Sequence, residues 1–478
     1  MSDPIVEIAQ GRLRGVGAEG VTVYRGVPFA APPVGELRFR APRPPRPWAD
    51  VRDAAHSGPA SYQVNTVNGD TVRRIVAEID PGAPGIMAWP PYTCTTYQQD
   101  NAAEDCLYLD IWVPDTEPGE HLPVYVYFHG GANAVSAGSF VHERGATLAR
   151  TQRVIVVRPN YRMGALGWLH VGLVGNALPE AVNLGVQDQV AALRWVHESI
   201  AAFGGDPEQI CIGGESAGAT AVSHLLGIPA ARRLVRRAVI QSLSPFNPWC
   251  TQQRPDAETV VELYVRLLGL HDPAELVQVD PDRLLAVANV LTRWFPADAA
   301  VAWRPLGAVT DGDWVPRTPA RSLSETDPGL NGIEVTIGFA KDEWMFFRGH
   351  SDTVSSGSRA NVLAVLDQIF DTGASAVYDR FAELHPDDTP GQLLSDIMST
   401  ATSHSRRCAS RRTSQPAGSP SGCSSSPTTC PVSTASIVPC TRATSRSCSA
   451  TRPSPTWPPS PRSPASTALN WPGSPRTR

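Results

Sequence analysis

The run Gln209-Ile210-Cys211-Ile212-Gly213 passes without a break into Gly214-Glu215-Ser216-Ala217-Gly218. A short apolar strand here enters a turn too tight for side chains at Gly214 and Gly218, and a helix is expected from about Ala217. Such a turn lifts the hydroxyl of Ser216 clear of the backbone, where a base and a carbonyl carbon can reach it. Gly-x-Ser-x-Gly alone is common in loops, so the weight falls on what surrounds it.

The surroundings alternate strands and helices. Ile5–Ile8, Val21–Tyr24, Leu107–Val113, Val124–Phe128, Arg153–Val157, Ala238–Ile240 and Val335–Gly338 read as strands, several of them nearly continuous in apolar residues. Val186 to Phe203 carries Val190, Leu193, Val196 and Ile200 along one stripe and reads as a helix that Gly204-Gly205-Asp206-Pro207 stops. This spacing predicts an α/β fold with a central, mostly parallel sheet flanked by helices. Helical stretches between about 256 and 300 predict a cap-like insertion.

Charge narrows the partners. All 46 acidic residues and 31 of the 41 basic ones lie in residues 1–398, and residues 399–478 hold ten arginines and no acid. An acidic body argues against nucleic acid as partner. No apolar stretch has the length of a membrane span, and Met-Ser-Asp-Pro-Ile-Val-Glu lacks a basic, then apolar, leader pattern, so cytoplasmic residence is the expectation. Cys94 and Cys106 are near enough in sequence to close a small loop, with thiols the expected state in a reducing compartment.

A serine hydroxyl needs a base, and the oxyanion it creates needs preplaced donors. His129-Gly130-Gly131-Ala132 follows the strand Val124–Phe128. The amides of Gly130 and Gly131, with that of Ala217, can converge on one oxygen, and glycine keeps a Cβ out of the approach path. An ordinary glycine turn is the plainer alternative.

Together with Glu104-Asp105-Cys106-Leu107-Tyr108-Leu109-Asp110-Ile111, Tyr24-Arg25-Gly26-Val27-Pro28-Phe29-Ala30, Asn160-Tyr161-Arg162 and Asn183-Leu184-Gly185, these motifs resemble the type-B carboxylesterase/lipase family, the cholinesterase-like group of the α/β-hydrolase fold. The resemblance runs from residue 1 to about 398. It implies a serine hydrolase of small-molecule carboxylic esters that uses no metal or organic cofactor. It also implies that Glu343, in Lys341-Asp342-Glu343 after a late strand, is the acid that orients the catalytic histidine. A solvated acidic turn is the plainer reading of that stretch. Ser242 resembles a supporting serine, although Leu243 stands where the family has glycine; Glu215 reads as a buried structural carboxylate. Trp168, Phe246, Trp249, Trp344, Phe346 and Phe347 are candidates for pocket walls or for core.

The histidine is the missing part. Only His350, His385 and His404 follow Glu343, and none has the sequence context of a catalytic base. From Ser399 the composition turns to Ser, Pro, Thr, Arg, Ala and Cys, which taken literally predicts a disordered tail over 399–478. A shifted reading frame explains it better. One lysine against 40 arginines indicates a GC-rich gene. If each codon joins the third base of one present codon to the first two of the next, Pro431 through Thr451 read G-L-D-G-L-H-R-A-V-H-A-R-D-I-P-F-V-L-G-D, which resembles the family's histidine segment. The Cys440–Thr441 junction encodes only His or Tyr in that frame. The expectation is a carboxylesterase domain at 1–398 whose last strand, last helix and base have been lost, with poor solubility as a result. The rival is a catalytically silent binding or scaffold protein on the same fold.

Overall fold

The structure is a computed structural model. It describes residues 4–401 apart from 82–99, 141–144, 295–305, 325–329, 345–356, 371–372 and positions 19, 118, 177, 246, 248, 249 and 331. The chain divides into a compact unit, Met1–Ser414, and a second, Gln415–Arg478, which lies outside the described residues.

Thirteen strands are described. The first seven are β1 (Ile5–Ile8), β2 (Gly11–Arg14), β3 (Val16–Ala18), β4 (Val21–Pro28), β5 (Arg52–Asp53), β6 (Ala60–Ser61) and β7 (Ala102–Ala103). The rest are β8 (Tyr108–Pro114), β9 (Leu122–Phe128), β10 (Ile155–Pro159), β11 (Gly205–Glu215), β12 (Arg237–Gln241) and β13 (Glu334–Gly338). Eight of them form one sheet in the order β13-β12-β11-β9-β10-β8-β4-β3. From β13 to β10 every pairing is parallel; β8, β4 and β3 close the other end antiparallel. The mostly parallel sheet predicted from the strand–helix alternation is therefore present.

In the middle of the sheet both faces are buried, which is why β8 and β10 read as nearly continuous apolar runs. Successive side chains point to opposite faces. On β10, Ile155 and Val157 enter the main core, while Val156 joins Trp112, Val21, Val23 and Ala149 under the helix Ala146–Gln152. The helix Leu184–Ser199, continued by the 3-10 turn Ile200–Phe203, buries Val190, Leu193, Val196 and Ile200 in that core. Its stop falls where Gly204 takes φ 81°, but Gly205 already pairs with Leu122, so β11 begins earlier than its apolar run suggests. The register shift between Gly205 and Ile210 absorbs the polar Asp206-Pro207-Glu208.

The helices Arg254–Leu267 and Pro281–Trp294 are where the cap-like insertion was expected. Val260, Val261, Tyr264, Leu284 and Val287 belong to the same core as the sheet, so these helices share its packing. Helices Arg359–Ile369, Ala374–Leu384 and Pro390–Ser399 build a separate apolar cluster around Leu366, Tyr378, Leu394 and Met398. Among the described residues β13 is the edge of the sheet, with Glu334, Thr336 and Gly338 exposed. Among them, too, no helix is long and apolar enough to cross a membrane.

Candidate active site

β11 ends at Glu215 and the helix Ala217–Gly227 starts two residues later, leaving Ser216 alone to reverse the chain. Ser216 has φ 55° and ψ −120°, a conformation that a residue with a Cβ adopts only under compulsion. The compulsion is visible. Its amide donates to the carbonyl of Gln241 on β12 (3.0 Å), its carbonyl accepts the amide of Thr220 (3.1 Å), and a methyl at Gly218 would run into the carbonyl oxygen of Phe128. The elbow foreseen from the sequence is in place.

The segment after β9 faces the elbow. An added Cβ at Gly130 would lie 2.9 Å from Oε2 of Glu215, 3.0 Å from its carbonyl and 3.4 Å from Cβ of Ser216. Gly131, Ala132 and Asn133 then take φ 99°, 57° and 59°, coiling the backbone into a concave turn whose successive N–H groups can converge on an anion. Two of their C=O groups are engaged: Gly131 O accepts from the amides of Ala134 (3.0 Å) and Val135 (3.1 Å), and Asn133 O from that of Gly164 (2.7 Å). No partner among the described residues takes the N–H groups of Gly130, Gly131 or Ala132. Ala217 opens a helix, so its N–H has no intrahelical partner either. The amide of Ala132, which the sequence reading did not name, also has no partner among the described residues; only the run of positive φ draws attention to it.

Glu343 lies in the turn after β13, half-buried, with Oε1 accepting the amide of Ala340 at 2.8 Å. Its neighbours Lys341 and Asp342 are exposed and paired with each other at 3.1 Å, so the solvated-turn reading holds for them. Parallel register sets Glu215, Gln241 and Gly338 side by side, placing the exits toward Ser216 and Glu343 on the same edge of the sheet. At about 4.8 Å between adjacent strands, those exits are roughly 10 Å apart, room for one imidazole between the two side chains.

Of the candidate bases, His350 and His404 fall outside the described residues. His385 caps the helix Ala374–Leu384, where it is exposed, stacks on Phe381 and has its Nδ1 3.9 Å from Asp388. Its ring also lies beside Asp396, which is close enough to Lys341 and Asp342 of the Glu343 turn to feel their charge. Three other histidines are buried. His129 touches Gly130, and burial pushes its pKa down to about 3. His170 and His224 are held down to about 4 by burial.

His224, two turns along the elbow helix, bonds Thr251 at 3.0 Å, and Thr220 one turn earlier donates to Sγ of Cys250 at 3.7 Å. The next residue, Gln252, joins Ala308 through its amide (2.7 Å) and Gly307 through its side chain (3.1 Å). His170 also bonds the Gly307 carbonyl at 2.7 Å. Asn183, at φ 54°, then ties Val309 and Asp311 to the start of the long helix through its side-chain amide, at 2.8 Å each. Apart from the Asn183-Leu184-Gly185 motif, this scaffold around the elbow gave no signal in the sequence, because its members are far apart in the chain.

Trp168 is core, edge-on to Tyr161 at 6.4 Å, and Trp344 is half-buried against the second cluster. Phe246, Trp249, Phe346 and Phe347 lie outside the described residues, as does Cys94; Cys106 is a buried thiol. Glu215 is partly buried beside Gly130, in keeping with a structural carboxylate.

Comparison with known proteins agrees with this geometry. Residues 2–412 match the carboxylesterase family. The para-nitrobenzyl esterase of Bacillus subtilis (strain 168) is 32% identical over 403 residues, spanning 83% of this chain and 74% of that protein. The phenmedipham hydrolase of Pseudarthrobacter oxydans is 33% identical over 408 residues, 84% of this chain and 74% of the relative. Among solved structures, the Geobacillus stearothermophilus carboxylesterase EST55 at pH 6.2 superposes with a TM-score of 0.71 at 32% identity, covering 86% of this chain and 76% of that one. The chain belongs to the carboxylesterase family, ester-hydrolysing enzymes of the α/β-hydrolase fold.

Proposed function

We propose that Ser216 is the nucleophile of an acyl-enzyme mechanism acting on small carboxylic esters. The observation that carries this reading is the left-handed conformation of Ser216 at the end of a parallel strand, opposite amides that have no partner among the described residues. The hydroxyl oxygen bonds to the ester carbonyl carbon while a base takes its proton. The carbonyl π pair moves onto oxygen, where the N–H groups of Gly130, Gly131 and Ala217 receive the charge. The C–O bond to the alcohol then breaks and the alcohol leaves with the base's proton. Water adds to the acyl carbon by the same route and releases the acid. Glu343 holds the base in orientation and stabilises its protonated form.

The base in this reading is the histidine encoded across the Cys440–Thr441 junction in the shifted frame. Two facts support it: the relatives' alignments leave about a quarter of their length unmatched, and the abrupt loss of acidic residues begins at Ser399. The chain as written thus has nucleophile, acid and oxyanion donors without their base, and its residual catalysis is on the order of 10³–10⁴-fold over water. Hydrolysis of p-nitrophenyl acetate by this chain and by one with the frame restored near codon 398 tests it. Activity that rises only on restoration supports the reading. The second reading, a silent binding protein, is favoured by the exposure of His385, whose described contacts are with Phe381 and Asp388, and predicts silence in both chains.

A further inference from the structure

We propose that His129 and Tyr161 are positioning residues that aim the oxyanion donors by holding the opposite ends of the same peptide planes. This rests on the reading of Ser216 as nucleophile. A trans peptide is planar, so its C=O and N–H point in opposite directions, and fixing one fixes the other. Every peptide here is trans.

Three consecutive planes are tethered by their oxygens. The hydroxyl of Tyr161 donates to the carbonyl of His129 at 2.7 Å, which sets the N–H of Gly130. Nδ1 of His129 lies 2.8 Å from the carbonyl of Gly130, which sets the N–H of Gly131. The amides of Ala134 and Val135 take the carbonyl of Gly131, which sets the N–H of Ala132. A carbonyl oxygen only accepts, so Nδ1 of His129 carries the hydrogen. All three N–H groups that these tethers direct have no partner among the described residues.

The two side chains brace each other. The His129 ring stacks on Tyr161 with centroids 4.5 Å apart and planes 14° from parallel, and Trp168 closes on Tyr161 edge-on. Both are buried, with His129 1% exposed and Tyr161 0%. Donors held in advance cost no reorganisation when charge develops, which gives an oxyanion site its strength. Glycine at 130 and 131 would otherwise leave these planes the freest in the chain. A histidine beside a glycine pair supplies from its own side chain the stiffness the glycines lack.

Butylboronic acid tests this on the full chain, because it forms a tetrahedral adduct with a serine oxygen and ¹¹B NMR reports that geometry directly. The comparison is between the chain, His129→Phe (ring and stacking kept, donor lost), Tyr161→Phe (hydroxyl lost) and His129→Asn, whose amide nitrogen occupies nearly the place of Nδ1. The expected result is that the two phenylalanine variants bind boronate at least about tenfold more weakly while remaining folded, and that His129→Asn recovers most of the loss. Unchanged boronate affinity in either folded phenylalanine variant overturns the proposal, and Tyr161→Phe carries the test alone if His129→Phe does not fold. Lowered melting temperature with unchanged affinity also overturns it, since that is a structural role only. If neither the unaltered chain nor the frame-restored enzyme forms a tetrahedral adduct, or Ser216→Ala still forms one, the nucleophile reading has failed and this inference falls with it.

Discussion

The amide of Ser216 donates to the carbonyl of Gln241, and one residue on, the amide of Ser242 donates to the carbonyl of Gly338 at 2.8 Å. Two bonds thus hold the ends of β11, β12 and β13 level. Ser242 takes φ 57°, close to the 55° of Ser216, so the turns that follow β11 and β12 both use the left-handed region. The elbow and the Glu343 loop are rungs of one ladder, and the sheet sets their separation.

If Ser216 is held in its turn against its own preference, relieving that strain should stabilise the fold. Residues with a Cβ in such regions cost about 1–3 kcal/mol, whereas glycine tolerates them but loses more chain entropy on folding. Ser216→Gly is therefore expected to be about 1 kcal/mol more stable than Ser216→Ala in urea titrations. Neither variant should react with a fluorophosphonate. Equal midpoints for the two would show that the turn is unstrained.

Gly130→Ala separates reactivity from stability. The new methyl would press on the Glu215 carboxylate and approach Cβ of Ser216, displacing the plane that carries the donors. In the frame-restored enzyme kcat is expected to fall about 10²–10³-fold, the value of one oxyanion donor, with KM little changed. A fall confined to KM would mean that Gly130 shapes ground-state binding instead.

Much of this was legible in the sequence, for identifiable reasons. β10 is buried on both faces and the end of β11 nearly so, and Ile155–Val157 and Ile210–Ile212 announce themselves as apolar runs. The elbow and the glycine pair are short local motifs with one mechanical purpose. What could not be read was whatever depends on distant partners: Tyr161 on His129, His224 on Thr251, Asn183 on Val309 and Asp311. The polar start of β11 was hidden as well, because Gly205 pairs with Leu122 through its backbone and shows no strand-like side-chain pattern.

Arg162 and Asp188 form a buried pair of this long-range kind, 3% and 0% exposed, with nitrogen-to-oxygen distances of 2.8 and 2.7 Å. Asp188 also accepts the amide of Arg162 (3.0 Å), and Arg162 reaches the carbonyl of Arg40 (2.8 Å). Asp188→Asn leaves the guanidinium buried without its counter-charge, a loss of about 3–5 kcal/mol. Chemical denaturation should show it. A loss below about 1 kcal/mol would mean that the charge pair is dispensable and that its hydrogen bonds carry the site.

The three buried histidines give the fold a pH dependence of fixed sign. In the unfolded chain each titrates near 6.5, but in the fold His129 is pushed down to about 3 and His170 and His224 to about 4, in every case chiefly by burial. Between those values the unfolded chain binds protons that the folded chain refuses. Stability is thus fully present above pH 6.5 and is lost as pH falls toward 4, by about 1.4 kcal/mol per pH unit for each group. Urea midpoints should be level from pH 8 to 7 and drop steeply from 6 to 5. His224→Gln, which keeps a polar partner for Thr251 without a titrating ring, should lower that slope by about a third. A slope unchanged by the substitution would show that His224 is protonated at no cost in the fold.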